Sequence, residues 1–251
     1  LNIGKILFKK KKFELSLKTI DACSKVTGLA HKSYGKLVAT KIIEDSRTHA
    51  LISLYALGRI DEIYKRIETN SELDAENLSV AAFSSFISYK EKKETKNKFC
   101  NNPIDFIKVS NLSSHLKKPD LFINDVIEEL HNNVETKWEP NGKSTLKGFQ
   151  STGNLFKNNL IYLNRLKSII LDELDSYESK YKDETCTFIK KWPSKKNLFA
   201  WHVILKKKGY QSPHIHQSGW LSGVIYLKVV PSLEKNEGAI EFSLNGENFY
   251  D

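Results

Sequence analysis

Two histidines separated by a single residue, His214 and His216, stand in the stretch SPHIHQSGWLSGVIYL at residues 212–227. Alternate residues of an extended chain project to the same face, so both imidazoles can reach one point in space. Neutral imidazole nitrogens held by a rigid strand, with coordination positions left open, are what a divalent metal requires. The same spacing describes a plain pair of surface histidines equally well, and the flanking residues have to decide. The remaining histidines, His31, His49, His115, His131 and His202, all precede the pair. His202 neighbours Trp201 on a segment leading to the pair and reads as a structural histidine. The turn Asn141-Gly142-Lys143-Ser144-Thr145 has some of the residues of a phosphate loop but lacks the second glycine and a preceding strand.

The elements that must position these residues fall into two parts. Apolar residues recur at helical spacing between residues 13 and 97, in Leu51, Leu54, Tyr55, Ile60, Ile63 and Ile67, then in Val80, Phe83, Phe86 and Ile87. The run ALISLYALGRIDEIYKRI, turning at Leu57-Gly58, resembles one tetratricopeptide-like hairpin, with a second expected where Ala81 and Ala82 open another helix. An ordinary helical bundle remains the equal alternative. Composition shifts at Asn101-Asn102-Pro103, which divides a helical region, residues 1–102, from residues 103–251. Beyond it, residues 104–110 (IDFIKVS) read as a strand, 119–133 as a helix, 138–156 as turn-rich and 158–182 as a long helix. Strands are expected at 185–190, 198–205, 221–229 and 239–244. Segments 198–205 and 221–229 should pair as neighbours, with Gly209 turning the chain between them. Helices first and antiparallel strands later make the fold class α+β, the sheet closing as a double-stranded β-helix, or jelly roll.

Bulk composition narrows the function classes. A hydrophobic fraction of 40% can bury a real core. Net charge is +9, almost all from lysine scattered along the chain, with one run at residues 9–12. Arginine, the usual fork for phosphate, occurs at Arg47, Arg59, Arg66 and Arg165 alone, so specific nucleic-acid recognition is not expected. No apolar run approaches the roughly 20 residues of a bilayer span. Three dispersed cysteines, Cys23, Cys100 and Cys186, read as free thiols of a reducing, cytoplasmic setting.

Taken together, Gly209-Tyr210, His214-x-His216, Leu221-Ser222-Gly223-Val224-Ile225-Tyr226-Leu227 and Pro231 resemble the metal-site region of the 2-oxoglutarate/Fe(II)-dependent oxygenase superfamily. They are similar in particular to a group whose motif reads H-x-H followed by L-S-G-V-Y-Y-L and a proline. The upstream run GFQSTGNLF is similar to that group as well, and the resemblance spans roughly residues 102–251.

The resemblance implies Fe(II) and 2-oxoglutarate as cofactors, hydroxylation of an unactivated C–H bond, and a small molecule or peptide as substrate. It makes His214 the first metal histidine and puts His216 where a carboxylate normally stands, which removes one negative charge from the ligand set. Tyr226 matches the position from which related enzymes contact the far carboxylate of the cosubstrate, or else it is an aromatic packed inside the barrel. The family also needs a distal histidine and a basic residue after it. Thirty-five residues follow His216, none of them histidine, and the chain begins at Leu1 without any methionine. A truncated reading frame is therefore expected, catalytically inactive as it stands and with part of the sheet edge exposed. A cupin would want a carboxylate where Gly219, Trp220 and Leu221 stand, and an amidohydrolase would want βα units after the pair. The non-enzymatic alternative is a helical peptide-binding scaffold with a metal-free β domain.

Overall fold

Helix spacing in the first part of the chain is realised directly. In the computed structural model, which describes residues 1–25, 36–229, 231 and 237–246, five helices are found there among the described residues. They are α1 (Asn2–Lys9), α2 (Phe13–Lys25), α3 (Lys36–Ala56), α4 (Ile60–Thr69) and α5 (Leu78–Glu91). His31 lies outside the described residues. One core joins four of these helices: Leu17 and Ile20 of α2, Ala50, Leu51 and Leu54 of α3, Ile63 and Ile67 of α4, and Val80, Phe83, Phe86 and Ile87 of α5. Tyr55 meets Phe83 and Phe86 edge-on, the arrangement that ring quadrupoles favour.

Local chemistry sets the joints of this layer. Gly58 takes φ +69° between α3 and α4, a left-handed conformation that glycine adopts without steric cost. The Asn77 side chain accepts from the Val80 amide at 3.3 Å and caps α5. The Leu57-Gly58 turn therefore stands as expected, but a second hairpin does not follow. Ala81 and Ala82 lie in α5, but the chain then runs without helix as far as Asn102, so a tetratricopeptide-like repeat is not shown among the described residues.

His49 lies half-buried on α3. Burial, and then the charge of Lys5, push its imidazole down to about 4 from the ordinary 6.5. Between those values the unfolded chain binds the proton that the folded one refuses. Stability is therefore complete above pH 6.5, falls as pH drops toward 4 and levels off below. Equilibrium urea melts should show an acid-side loss of about 1–3 kcal/mol, allowing for solvent screening, and His49→Gln should flatten it.

The second part holds α6 (Pro119–Asn133) and α7 (Ile161–Tyr181), packed against each other, and a small sheet. Phe122, Val126 and Leu130 of α6 meet Leu163, Leu166 and Ile169 of α7 in a second core. Both helices lie where the sequence places them, and Pro119 opens α6 at a position that needs no amide donor. The Glu129 carboxylate accepts the amides of Tyr162 and Leu163, tying α6 to the start of α7. The sheet is antiparallel and runs β1 (Thr136–Trp138), β2 (Thr145–Ser151), β3 (Val203–Gln211). Thr136 faces Ser151, and Thr145 faces Gln211.

Several expected strands take other forms, each because a different partner claims the backbone. Residues 104–110 hold a 3-10 turn at Pro103–Phe106. Their carbonyls are taken by phenols of α7: the Tyr177 hydroxyl donates to Phe106 O at 2.7 Å and that of Tyr181 to Asp105 O at 3.2 Å. Within 185–190 the chain forms a short helix, α8 (Thr187–Lys190), because the amides of Thr187 and Phe188 bond back to Lys98 O and Phe99 O. The stretch 138–156, expected to be turn-rich, contains the central strand β2. Thr145 is spent inside the sheet, its hydroxyl donating to Gln150 Oε1 at 2.8 Å, so it is not turned toward a phosphate.

Gly209 makes no turn. It lies within β3 at an irregular register opposite Lys147, where an added Cβ would come within 2.5 Å of the Lys147 carbonyl oxygen. Close backbone approach, not chain reversal, is what demands glycine there. β3 pairs with β2 and not with 221–229. Segments 221–229 and 239–244 are irregular, and the second sheet of a double-stranded β-helix is not among the described residues. The described structure is thus mixed helix and sheet. None of its helices is long and apolar enough to cross a membrane.

Candidate functional site

The chain leaves β3 at Gln211 and is held at once by the Ser212 amide, which donates to Ser144 O at 2.9 Å. His214 follows, exposed, with Nδ1 at 2.7 Å from Ser212 O. A carbonyl oxygen can only accept, so Nδ1 carries the proton and Nε2 of the neutral ring keeps its lone pair. That lone pair faces His216, Nε2 to Nε2 at 3.2 Å, with the rings edge-on at 79°. His216 is half-buried beneath Trp201, ring centroids 5.6 Å apart. Burial, and secondarily the neighbouring His214, lower its pKa and favour the neutral ring.

Two nitrogens each about 2.1 Å from one ion, at tetrahedral or right angles, stand about 3.0–3.4 Å apart. The observed separation falls inside that window. An imidazole whose other ring N–H is held by a backbone carbonyl is also the usual state of a histidine ligand. The donor set thus fits two adjacent positions of a metal site. It fits no more than two, because among the described residues no cluster of three His, Cys, Asp or Glu side chains gathers anywhere. With no metal present, the same contact is a hydrogen bond in which His216 Nε2–H donates to His214 Nε2.

What holds the pair comes from the two cores above and from a third, in which Phe99, Tyr177, Tyr181 and Phe188 gather with Trp220 packed against them. Ile215, between the histidines, packs against the helical core. Leu227 packs against the α6–α7 core. Trp220 donates its indole N–H to Phe188 O at 3.0 Å and meets Phe99 edge-on at 5.3 Å. The amide of Gly219 closes a turn onto His216 O at 3.2 Å. Tyr226, expected beside the histidines inside a barrel, is 48% exposed on the irregular segment. His202 stays apart from the pair: its backbone is tied to Ser151 in both directions, and burial lowers its pKa.

His214 and His216 come together although residues 212–216 form no strand, so the rigid strand expected to hold them is not what positions the pair. The packing of Ile215 on the helical core is likewise not announced by a strand period. Trp201 and the Ser212 carbonyl are contributions that no spacing announces.

Residues 199–247 match a family model described as "Putative 2OG-Fe(II) oxygenase". The match spans both histidines, Trp201, Trp220 and Tyr226, and the segment is oxygenase-like at the level of that family. The helical bundle lies outside it. No curated protein and no solved structure matches the chain.

Proposed function

We propose that this chain belongs to an Fe(II)- and 2-oxoglutarate-dependent oxygenase of the hydroxylase type, with His214 and His216 as two of the iron ligands. The observation that carries the reading is the 3.2 Å approach of the two Nε2 atoms, one tautomer being fixed by Ser212 O. Ferrous iron with 2-oxoglutarate supplies the activation of O₂ needed to hydroxylate an unactivated C–H bond. The protein's own share is positional. Ser212 O orients His214, Trp201 covers His216, and Ile215 braces the backbone between them. Tyr226 is assigned to the cosubstrate, offering its phenolic O–H to the far carboxylate. A histidine in place of a ligand carboxylate leaves the site one negative charge short of the usual ligand set. The substrate is a small molecule or peptide, and three free thiols suit a cytoplasmic setting.

Anaerobic titration of the Fe(II)-loaded chain with 2-oxoglutarate tests the assignment. A visible charge-transfer band of the chelated 2-oxoacid is expected, lost in the His214→Ala/His216→Ala variant and weakened in Tyr226→Phe. Iron binding without any response to 2-oxoglutarate would remove the cosubstrate from the proposal. Succinate release is not expected from a two-histidine site.

A further inference from the structure

Helix α1 rests on α2 through Gly4, whose carbonyl accepts from the Ser16 hydroxyl at 2.8 Å. A Cβ on Gly4 would fall 2.5 Å from Ile20 Cγ1, so the two helices are flush there. The opposite side of α1 faces water and carries two aliphatic side chains beside Asn2 and Lys9. Ile3 is 68% exposed and Ile6 54%, and residues three apart on a helix lie about 60° from one another, on one stripe. Leu15, at the start of α2, adds a third aliphatic side chain at 50% exposure. Immediately after the stripe come Lys9, Lys10, Lys11 and Lys12, all exposed. None of the four forms an ion pair with a described residue, whereas Lys5 nearby is paired with Asp45 at 3.9 Å.

We propose that α1 and the lysines that follow it form a peripheral docking surface for anionic membranes, Ile3 and Ile6 entering the headgroup boundary and the lysines meeting lipid phosphates. Charge complementarity selects the occupant. A nucleic acid would satisfy the lysines but leave the isoleucines in water, whereas the interface of an anionic bilayer takes both. Neither signal holds alone, since a short apolar insertion binds marginally and a basic patch is screened by salt. The pairing of the two is what the surface provides.

Co-sedimentation of the full chain with phosphatidylcholine vesicles, with and without about 30% phosphatidylserine, tests this. Partitioning is expected onto the anionic vesicles alone. At roughly fivefold per basic residue, Lys10→Glu/Lys11→Glu should weaken it by about 30-fold or more. Ile3→Ser/Ile6→Ser should weaken it at least about tenfold with the far-UV circular dichroism unchanged. A charge-matched control, Lys137→Glu/Lys143→Glu on the exposed rim of the sheet, should stay within about twofold of the parent. Equal binding to neutral vesicles, or none to anionic ones, overturns the proposal. So does equal loss in the control, which would reduce the effect to the net charge of +9. Full binding by the isoleucine variant also overturns it and points to bare polyanion attraction, as to a nucleic acid.

Discussion

Alanine at both His214 and His216 is expected to weaken binding of Fe(II), or of Co(II) as its air-stable stand-in, by at least about 100-fold. The expectation rests on the two Nε2 atoms, 3.2 Å apart, being the convergent nitrogen pair of this surface. Each single alanine variant removes half of that pair and should lose most of the affinity, so the singles and the double will be far from additive. The metal-free contact adds a second signature. His216 donates its Nε2 proton to His214, and a metal sharing the two nitrogens must displace it onto Nδ1 or into solvent. Calorimetric titration in two buffers of different ionisation enthalpy would report any proton released. Full affinity in the double variant would remove the metal from this site altogether.

Phe83→Ala is expected to cost about 3–5 kcal/mol, a large part of the roughly 5–15 kcal/mol that holds a domain together. Phe83 is fully buried where α3 and α5 meet, edge-on to Tyr55 and 5.9 Å from Phe86, and alanine would leave a cavity among stiff neighbours. Urea denaturation measures the loss as a lower midpoint. The same core supports Ile215, so metal affinity should fall together with stability in the folded population. Leu163→Ala opens a comparable cavity in the α6–α7 core, at about 2–5 kcal/mol, away from Ile215. Its metal affinity should stay close to the parent's. Equal damage to affinity by both variants would mean that Ile215 is not the route.

These expectations depend on contacts that the sequence reveals unevenly. Helix α6, with its opening Pro119, and the long α7 were legible because helical periodicity and caps are local properties. Strands were not, because a strand is defined by its neighbour. Residues 104–110 alternate like a strand, yet Tyr177 and Tyr181, some 70 residues onward, take their carbonyls. Val224, Ile225 and Tyr226 have strand-forming side chains and no strand beside them among the described residues. Gly209 reads as a turn residue in the sequence, yet it is pressed against Lys147 O and does not reverse the chain. At the site, the spacing of His214 and His216 marks the pair, but the chain that brings their Nε2 atoms together is irregular and not a strand. Trp201 above His216 depends on where β3 begins, which nothing near the histidines encodes.

Ile215 carries a consequence of its own. It sits between two groups that can respond to a ligand, and its side chain belongs to a helical bundle far from them in sequence. A ligand that steadied the imidazoles would steady Ile215 between them, and any coupling to the bundle that results would run equally in both directions.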